Sequence, residues 1–229
     1  MHAVNRHPLP PSGPRNQGTR SPATDLRASW QRMWSGIAAS AGGDALYEEV
    51  VAHYSEGHRH YHSLQHLVEC IRWLEAASAL AQHPAEVEAA LWFHDVICEP
   101  GRHDNEERSA WWARAALQGA GVPQESAVRV EHLVLATKHT AAPVSGDAQL
   151  LVDIDLAILG AEEPRFAEYE QQIRQEYASV PQAVFRQRRR AILRAFLDRP
   201  SIYSTGYFHA ALEQRARANL GRALGENTG

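Results

Sequence analysis

Two stretches of the sequence place histidine and aspartate at spacings that could bind a metal ion. His62 and His66 lie four residues apart at the start of an apolar-periodic run, so on a helix both imidazoles would lie on one face, about one turn apart. His94 and Asp95 are adjacent and follow a second apolar run, and the segment Asp153-Ile154-Asp155 comes later. Imidazoles and carboxylates from separate helices are ligands that suit a divalent first-row metal ion.

We expect four of these residues to bind the metal ion: His66, His94, Asp95 and Asp155. The remaining coordination positions would stay open for water and a substrate oxygen. A metal ion in such a site lowers the pKa of bound water and polarises a phosphoryl oxygen. His62 could protonate a leaving oxygen without binding metal. The predicted catalytic residues are His62 and the metal ligand Asp95. The sequence therefore indicates a metal-dependent enzyme.

The elements that must position these residues are predicted to be helices. Apolar periodicity, caps and breakers indicate about eight to ten helices, with no sustained strand alternation and no internal repeat. One helix at about 63–80 carries His66, another starts at Pro84 and ends with His94 and Asp95, and a short one contains Asp155. His132 falls in the apolar phase of a further helix and is expected to be buried. The fold class is therefore all-α.

Composition limits both the domain organisation and the partners. Residues 1–23 are rich in proline and poor in apolar residues, which predicts a disordered leader before one domain over 24–229. A net charge of −4 argues against bulk nucleic-acid binding and against capture by an anionic membrane. No run is apolar enough for a membrane span or a secretory signal, so we expect a cytoplasmic protein. Two cysteines are too few for a thiolate site, and Cys70 is expected to be a buried free thiol.

Several segments together resemble the HD superfamily of metal-dependent phosphohydrolases. The order His…His-Asp…Asp on a helical chain is typical of that superfamily, and Tyr61-His62-Ser63-Leu64-Gln65-His66 resembles the Tyr-His-Asn-x-x-His stretch of cyclic-nucleotide phosphodiesterases. Residues 44–220 also resemble an uncharacterised bacterial group of HD phosphohydrolases. The matching segments are Arg-His-Tyr-His-x-Leu-x-His, Trp-Phe-His-Asp, Asp-Asn-Glu-Glu-Arg-Ser-Ala and Asp-x-Asp-Leu-x-Ile-Leu-Gly.

The resemblance implies an HD-type helical bundle and a hydrolase that uses metal-activated water on a nucleotide or another small phosphoester. It favours His66 over His62 as the first ligand, with His62 as proton donor, and Asp155 over Asp153 as the last. The metal ion could be Mn²⁺, Mg²⁺, Zn²⁺, Fe or Ni. Residues beside the motifs that could bind substrate are Arg59, Lys138 and His139.

Two other functions remain open at the sequence level. Some HD proteins use a di-iron centre as oxygenases, which needs further histidine ligands such as His103, His132 and His139. The second alternative is a helical domain that binds a small ligand without turnover. The sequence identifies neither the substrate nor the number of metal ions, and it leaves the oligomeric state, a homodimer included, undetermined.

Overall fold

The computed structural model describes residues 22–40, 43–141 and 143–226, and these ranges contain ten α-helices and no strand. The prediction of an all-α bundle of eight to ten helices is confirmed. The predicted leader falls almost wholly outside the described residues, and the first helix begins at Pro22. The helices are α1 (Pro22–Gly36), α2 (Gly43–Tyr54), α3 (Leu64–Ala77), α4 (Pro84–Phe93), α5 (Asn105–Gly119), α6 (Gln124–Ala136), α7 (Gly146–Asp155), α8 (Glu163–Glu176), α9 (Gln182–Leu197) and α10 (Gly206–Leu224).

Helix α4 lies at the centre of the bundle, where α1, α3, α5, α6 and α7 all pack against it. Its sequence explains this position, because Pro84 is well suited to a first helical turn and the segment 86–93 is buried on every side. Its acidic residues are paired rather than solvated: Arg129 binds both carboxylate oxygens of Glu86 at 2.7 Å, and Glu88 contacts Arg32. These ion pairs connect α4 to α6 and to α1.

Helix α10 is fixed to the end of α7 by a buried carboxylate. Asp153 accepts hydrogen bonds from the backbone of Ser204 and from both the backbone and the hydroxyl of Thr205, at 2.7–2.8 Å. Thr205 in turn caps α10 through its side chain. Asp153 therefore stabilises the helix junction beside Asp155. None of the helices in the described part of the chain has the length and apolar character needed to cross a membrane.

The prediction that His132 is buried is wrong, because its side chain is exposed. The buried positions of α6 are Ala127, Val130, Leu133 and Val134. The apolar face of α6 is therefore narrower than the sequence pattern indicates, and His132 lies outside it.

Candidate metal centre

Three helix ends bring the predicted ligands together. His66 lies in the first turn of α3, His94 and Asp95 directly follow α4, and Asp155 is the last residue of α7. The two histidines are almost fully buried, and the two aspartate side chains are 20% and 13% exposed. A small opening to solvent thus lies on the carboxylate side of the cluster.

The donor atoms lie at the separations that a shared metal ion requires. The Nε2 atoms of His66 and His94 are 3.1 Å apart. Asp95 Oδ2 is 3.0 Å from His94 Nε2 and 3.6 Å from His66 Nε2. Asp155 Oδ1 is 3.3 Å from His66 Nε2 and 3.6 Å from His94 Nε2. Ligands bound at about 2.0–2.2 Å lie roughly 3.0–3.6 Å from one another, so the cluster fits one ion.

The protonation of His94 supports a cation at this place. Its Nδ1 lies 2.8 Å from the carbonyl oxygen of Leu91, so Nδ1 carries a hydrogen and neutral Nε2 directs a lone pair into the cluster. That lone pair meets carboxylate oxygens of Asp95 and Asp155, which is unfavourable without a positive charge between them. Burial lowers the pKa of His94, but the two carboxylates outweigh it and hold that pKa well above its usual value. A divalent cation between these donors would supply that positive charge.

Cys70 also belongs to the buried group that could hold a metal ion, together with His66, His94 and Asp155. It is a free and buried thiol, as predicted. Its Sγ lies 3.7 Å from both Nδ1 and Nε2 of His66, so it is equidistant from the two nitrogens. An ion in line with the Nε2 lone pair would therefore lie farther from Sγ than a zinc–thiolate bond of about 2.3 Å. Because burial also raises the pKa of this thiol, we favour Asp95 over Cys70 as the fourth ligand.

His62 lies beside the cluster and is held by Glu176 from the end of α8. Its Nδ1 is 2.7 Å from Glu176 Oε2, while Glu176 Oε1 accepts from three consecutive backbone N–H groups, those of His60, Tyr61 and His62, at 2.8–2.9 Å. Burial opposes a charged imidazole, but the charge of nearby Asp95, the interaction with Cys98 and the hydrogen bond to Glu176 together hold the pKa of His62 well above its usual value. Glu176 thus fixes both the loop and the ring.

His139 contacts the second oxygen of Asp155. Its Nε2 lies 3.0 Å from Asp155 Oδ2, and its backbone has a φ of 54°, in the left-handed region that few non-glycine residues adopt. Arg199 donates a hydrogen bond of 3.1 Å to the carbonyl oxygen of His139, and the His139 ring packs edge-on against Phe196. His139 is therefore held in a strained conformation beside a predicted ligand, as functional residues often are.

The other two residues predicted to bind substrate, Arg59 and Lys138, already have partners within the protein. Arg59 is buried, and its guanidinium contacts Glu56 and the backbone carbonyls of His62, Asp95 and Val96 at 2.6–3.1 Å. It therefore joins the two motif loops to each other. Lys138 pairs with Glu107 at the surface. Their binding of substrate stays a prediction.

Sequence reasoning missed Glu176, which lies 114 residues from His62. It also left Cys70 out of the ligand candidates, although Cys70 is one helical turn beyond His66 on α3, a spacing that could have indicated it.

Two cavities adjoin Asp155 on different sides. One, of about 410 Å³, is lined by His62, His139 and aromatic residues of α8 and α9; we call it the aromatic cavity. The other, of about 490 Å³, is lined by Cys70, Arg165, Arg215 and their neighbours; we call it the Arg165 cavity. A ligand could therefore approach the cluster from either side.

Comparison of the chain with protein-family models, with curated proteins and with solved structures found no match. The likeness to the HD superfamily thus rests on the motifs alone, and the site must be interpreted from its own geometry.

Proposed function

We propose that the protein is a metal-dependent phosphohydrolase acting on a nucleotide or another small phosphoester. The observation that carries this proposal is the convergence of donor atoms from three helix ends: the two imidazole nitrogens are 3.1 Å apart, and each of the two carboxylate oxygens lies 3.0–3.6 Å from both nitrogens. Two neutral imidazoles and two carboxylates carry a charge of −2, which a divalent ion neutralises. Mn²⁺, Mg²⁺, Zn²⁺, Fe and Ni are all compatible with such donors.

A divalent ion bound there supplies Lewis-acid activation of water and of a phosphoryl oxygen. The protein's own residues prepare the rest of the reaction. His94 is fixed by its hydrogen bond to the Leu91 carbonyl, and Asp155 by its contact with His139. Such outer contacts orient ligands and keep their basicity high. Their joint effect is to hold the donor atoms in place before the substrate arrives.

His62 is suited to deliver the proton that a leaving oxygen needs. Glu176 holds Nδ1, so Nε2 is the nitrogen that can face other groups; the Cys98 side chain also hydrogen-bonds to the ring, and His62 lines the aromatic cavity together with His139 and Asp155. The interactions with Asp95, Cys98 and Glu176 raise the pKa of His62, which favours the protonated imidazole that a proton donor needs. A proton carried at Nε2 can therefore be donated to an alkoxide or phenoxide that departs beside Asp155.

The oxygenase alternative has less support. It needs further histidine ligands, but His103 and His132 are exposed and only His139 of the three contacts Asp155. The hydrolase is therefore the function that we carry forward.

The direct test is hydrolysis of bis(4-nitrophenyl) phosphate and a nucleotide panel in Mn²⁺. We expect turnover by the unaltered protein and a loss of at least about 100-fold in His94→Ala, because a ligand is removed. His132→Ala is the matched control, since this exposed histidine contacts neither cavity, and it should keep full activity. Absence of turnover with any substrate and metal, or equal activity in His94→Ala, would contradict the proposal.

A further inference from the structure

The aromatic cavity combines a reactive end and an apolar wall. His62, His139 and Asp155 lie at one end. The wall contains Tyr61, Tyr169, Tyr177, Phe185 and Phe196, together with aliphatic side chains such as Ile173 and Ile192. Its volume of about 410 Å³ is within the usual range for small-molecule sites, which are lined mainly by apolar and aromatic groups with a few placed polar atoms.

Helix α9 leaves part of its apolar surface exposed at this cavity. Only Leu193 of α9 is fully buried, although Phe185, Ile192 and Phe196 all line the cavity. Ile192 remains 48% exposed. A ligand that covered these side chains would remove their apolar surface from water, which is favourable by about 25 cal/mol per Å².

Two buried polar atoms in the described part of the chain have no hydrogen-bond partner, and both belong to residues that line this cavity. They are the hydroxyl of Tyr61 and Nδ1 of His139. Tyr61 is only 4% exposed, and burial raises the pKa of its hydroxyl, so the hydroxyl remains a donor. An unsatisfied buried polar group costs about 1–3 kcal/mol. The wall of this cavity therefore contains two polar groups that no other described protein group satisfies.

The charges around the cavity favour an anion. Arg188 lines it and has no ion-pair or hydrogen-bond partner among the described residues, whereas the neighbouring Arg189 is paired with Glu170. Asp155 is the single carboxylate in the lining, and it belongs to the metal centre. An unpaired cation at an apolar cavity attracts negatively charged ligands.

Among the described residues, the Arg165 cavity lacks an unpaired cation and unpartnered polar atoms. Its cationic side chains are already paired, Arg165 with Glu69 and Arg215 with Glu162. Neither unpartnered atom belongs to a residue of its lining. An anionic substrate is therefore better accommodated in the aromatic cavity.

We infer that the aromatic cavity binds the organic part of the substrate and that this part carries an aromatic ring, as in a nucleotide or an aryl phosphoester. This inference rests on the proposed function, because the phosphate must lie at the metal centre while the ring lies against α8 and α9. Phosphoesters of glycerol or of simple sugars lack the ring that would cover Phe185, Ile192 and Phe196, and they should bind more weakly.

Phosphonates test this inference without turnover, because their carbon–phosphorus bond replaces the ester linkage. Calorimetric titration of the Mn²⁺-loaded protein should show phenylphosphonate binding at least about tenfold more tightly than methylphosphonate, since the ring buries apolar surface. Ile192→Asn should weaken phenylphosphonate by about fivefold and leave methylphosphonate unchanged. Val184→Asn is the matched control, because Val184 is a similarly exposed residue of α9 that does not line the cavity.

Equal affinity for the two phosphonates, no binding of either, or equal effects of Ile192→Asn and Val184→Asn would overturn the inference. The result is distinguishable from failure of the hydrolase proposal. If phenylphosphonate binds as expected but no phosphoester is hydrolysed, the aromatic site stands and the catalytic proposal fails.

Discussion

Glu176 and His62 are joined by two contacts, one to the backbone N–H at 2.8 Å and one to imidazole Nδ1 at 2.7 Å. The same carboxylate also binds the N–H groups of His60 and Tyr61. This arrangement links the end of α8 to the loop before α3, so a distant residue sets the orientation of the proposed proton donor. Both the catalytic rate and the acid stability should depend on it.

Glu176→Gln tests the positioning of His62. The amide oxygen can still accept from the backbone, but the amide group cannot stabilise a charged imidazole. We expect kcat to fall by about 10-fold to 100-fold, with metal content and KM unchanged and with the basic limb of the pH profile shifted to lower pH. Glu168→Gln, an exposed change on the same helix, serves as control. An unaltered kcat and pH profile would refute this role.

Acid unfolding should also depend on Glu176. Burial opposes its ionisation, but hydrogen bonds from His62 and the backbone hold the pKa of Glu176 at about 2, against an ordinary value of 4.5. A carboxyl whose folded pKa is depressed contributes stability that is fully present above pH 4.5 and is lost as pH falls toward 2. The contribution is at most about 3 kcal/mol. Urea unfolding with chelator present should show the difference between wild type and Glu176→Gln shrinking from pH 6 to pH 3; a difference that stays constant would contradict this.

The two aspartates at the end of α7 should respond oppositely to amidation. Asp153→Asn should lower the free energy of unfolding by about 1–3 kcal/mol, because a buried acceptor for Ser204 and Thr205 is weakened, and it should leave metal binding intact. Asp155→Asn should abolish metal binding, because the amide removes a charged ligand oxygen. Elemental analysis and urea unfolding measure both effects. If Asp153→Asn lost the metal ion and Asp155→Asn kept it, Asp153 rather than Asp155 would be the ligand.

Arg59→Lys distinguishes a structural role from substrate binding. Lysine cannot reproduce the planar set of donors that reaches Glu56 and three carbonyl groups, so we expect a loss of about 2 kcal/mol or more in unfolding free energy. Arg27→Lys, at a partly exposed ion pair, should cost less than about 1 kcal/mol. A raised KM with unchanged stability would instead indicate that Arg59 contacts substrate.

The sequence predicted those parts of the site that depend on local pattern. His66, His94 and Asp155 sit at helix ends that caps, prolines and apolar periodicity indicate, so both the elements and their functional side chains could be anticipated. The contacts of Glu176 and Arg59 could not, because they join segments far apart in the chain and leave no periodic signal. The burial of His132 was wrongly predicted for a related reason. How many faces of a helix are buried depends on the helices packed against it, and sequence periodicity does not specify those neighbours.

The metal content of the purified protein tests the central claim most directly. After incubation with Mn²⁺ and removal of free ions by gel filtration, elemental analysis should find about one ion per chain, the number that four converging donors can hold. His132→Ala should retain that ion and His94→Ala should lose it. Metal-free wild-type protein under every loading condition, or equal metal content in His94→Ala and wild type, would contradict the account.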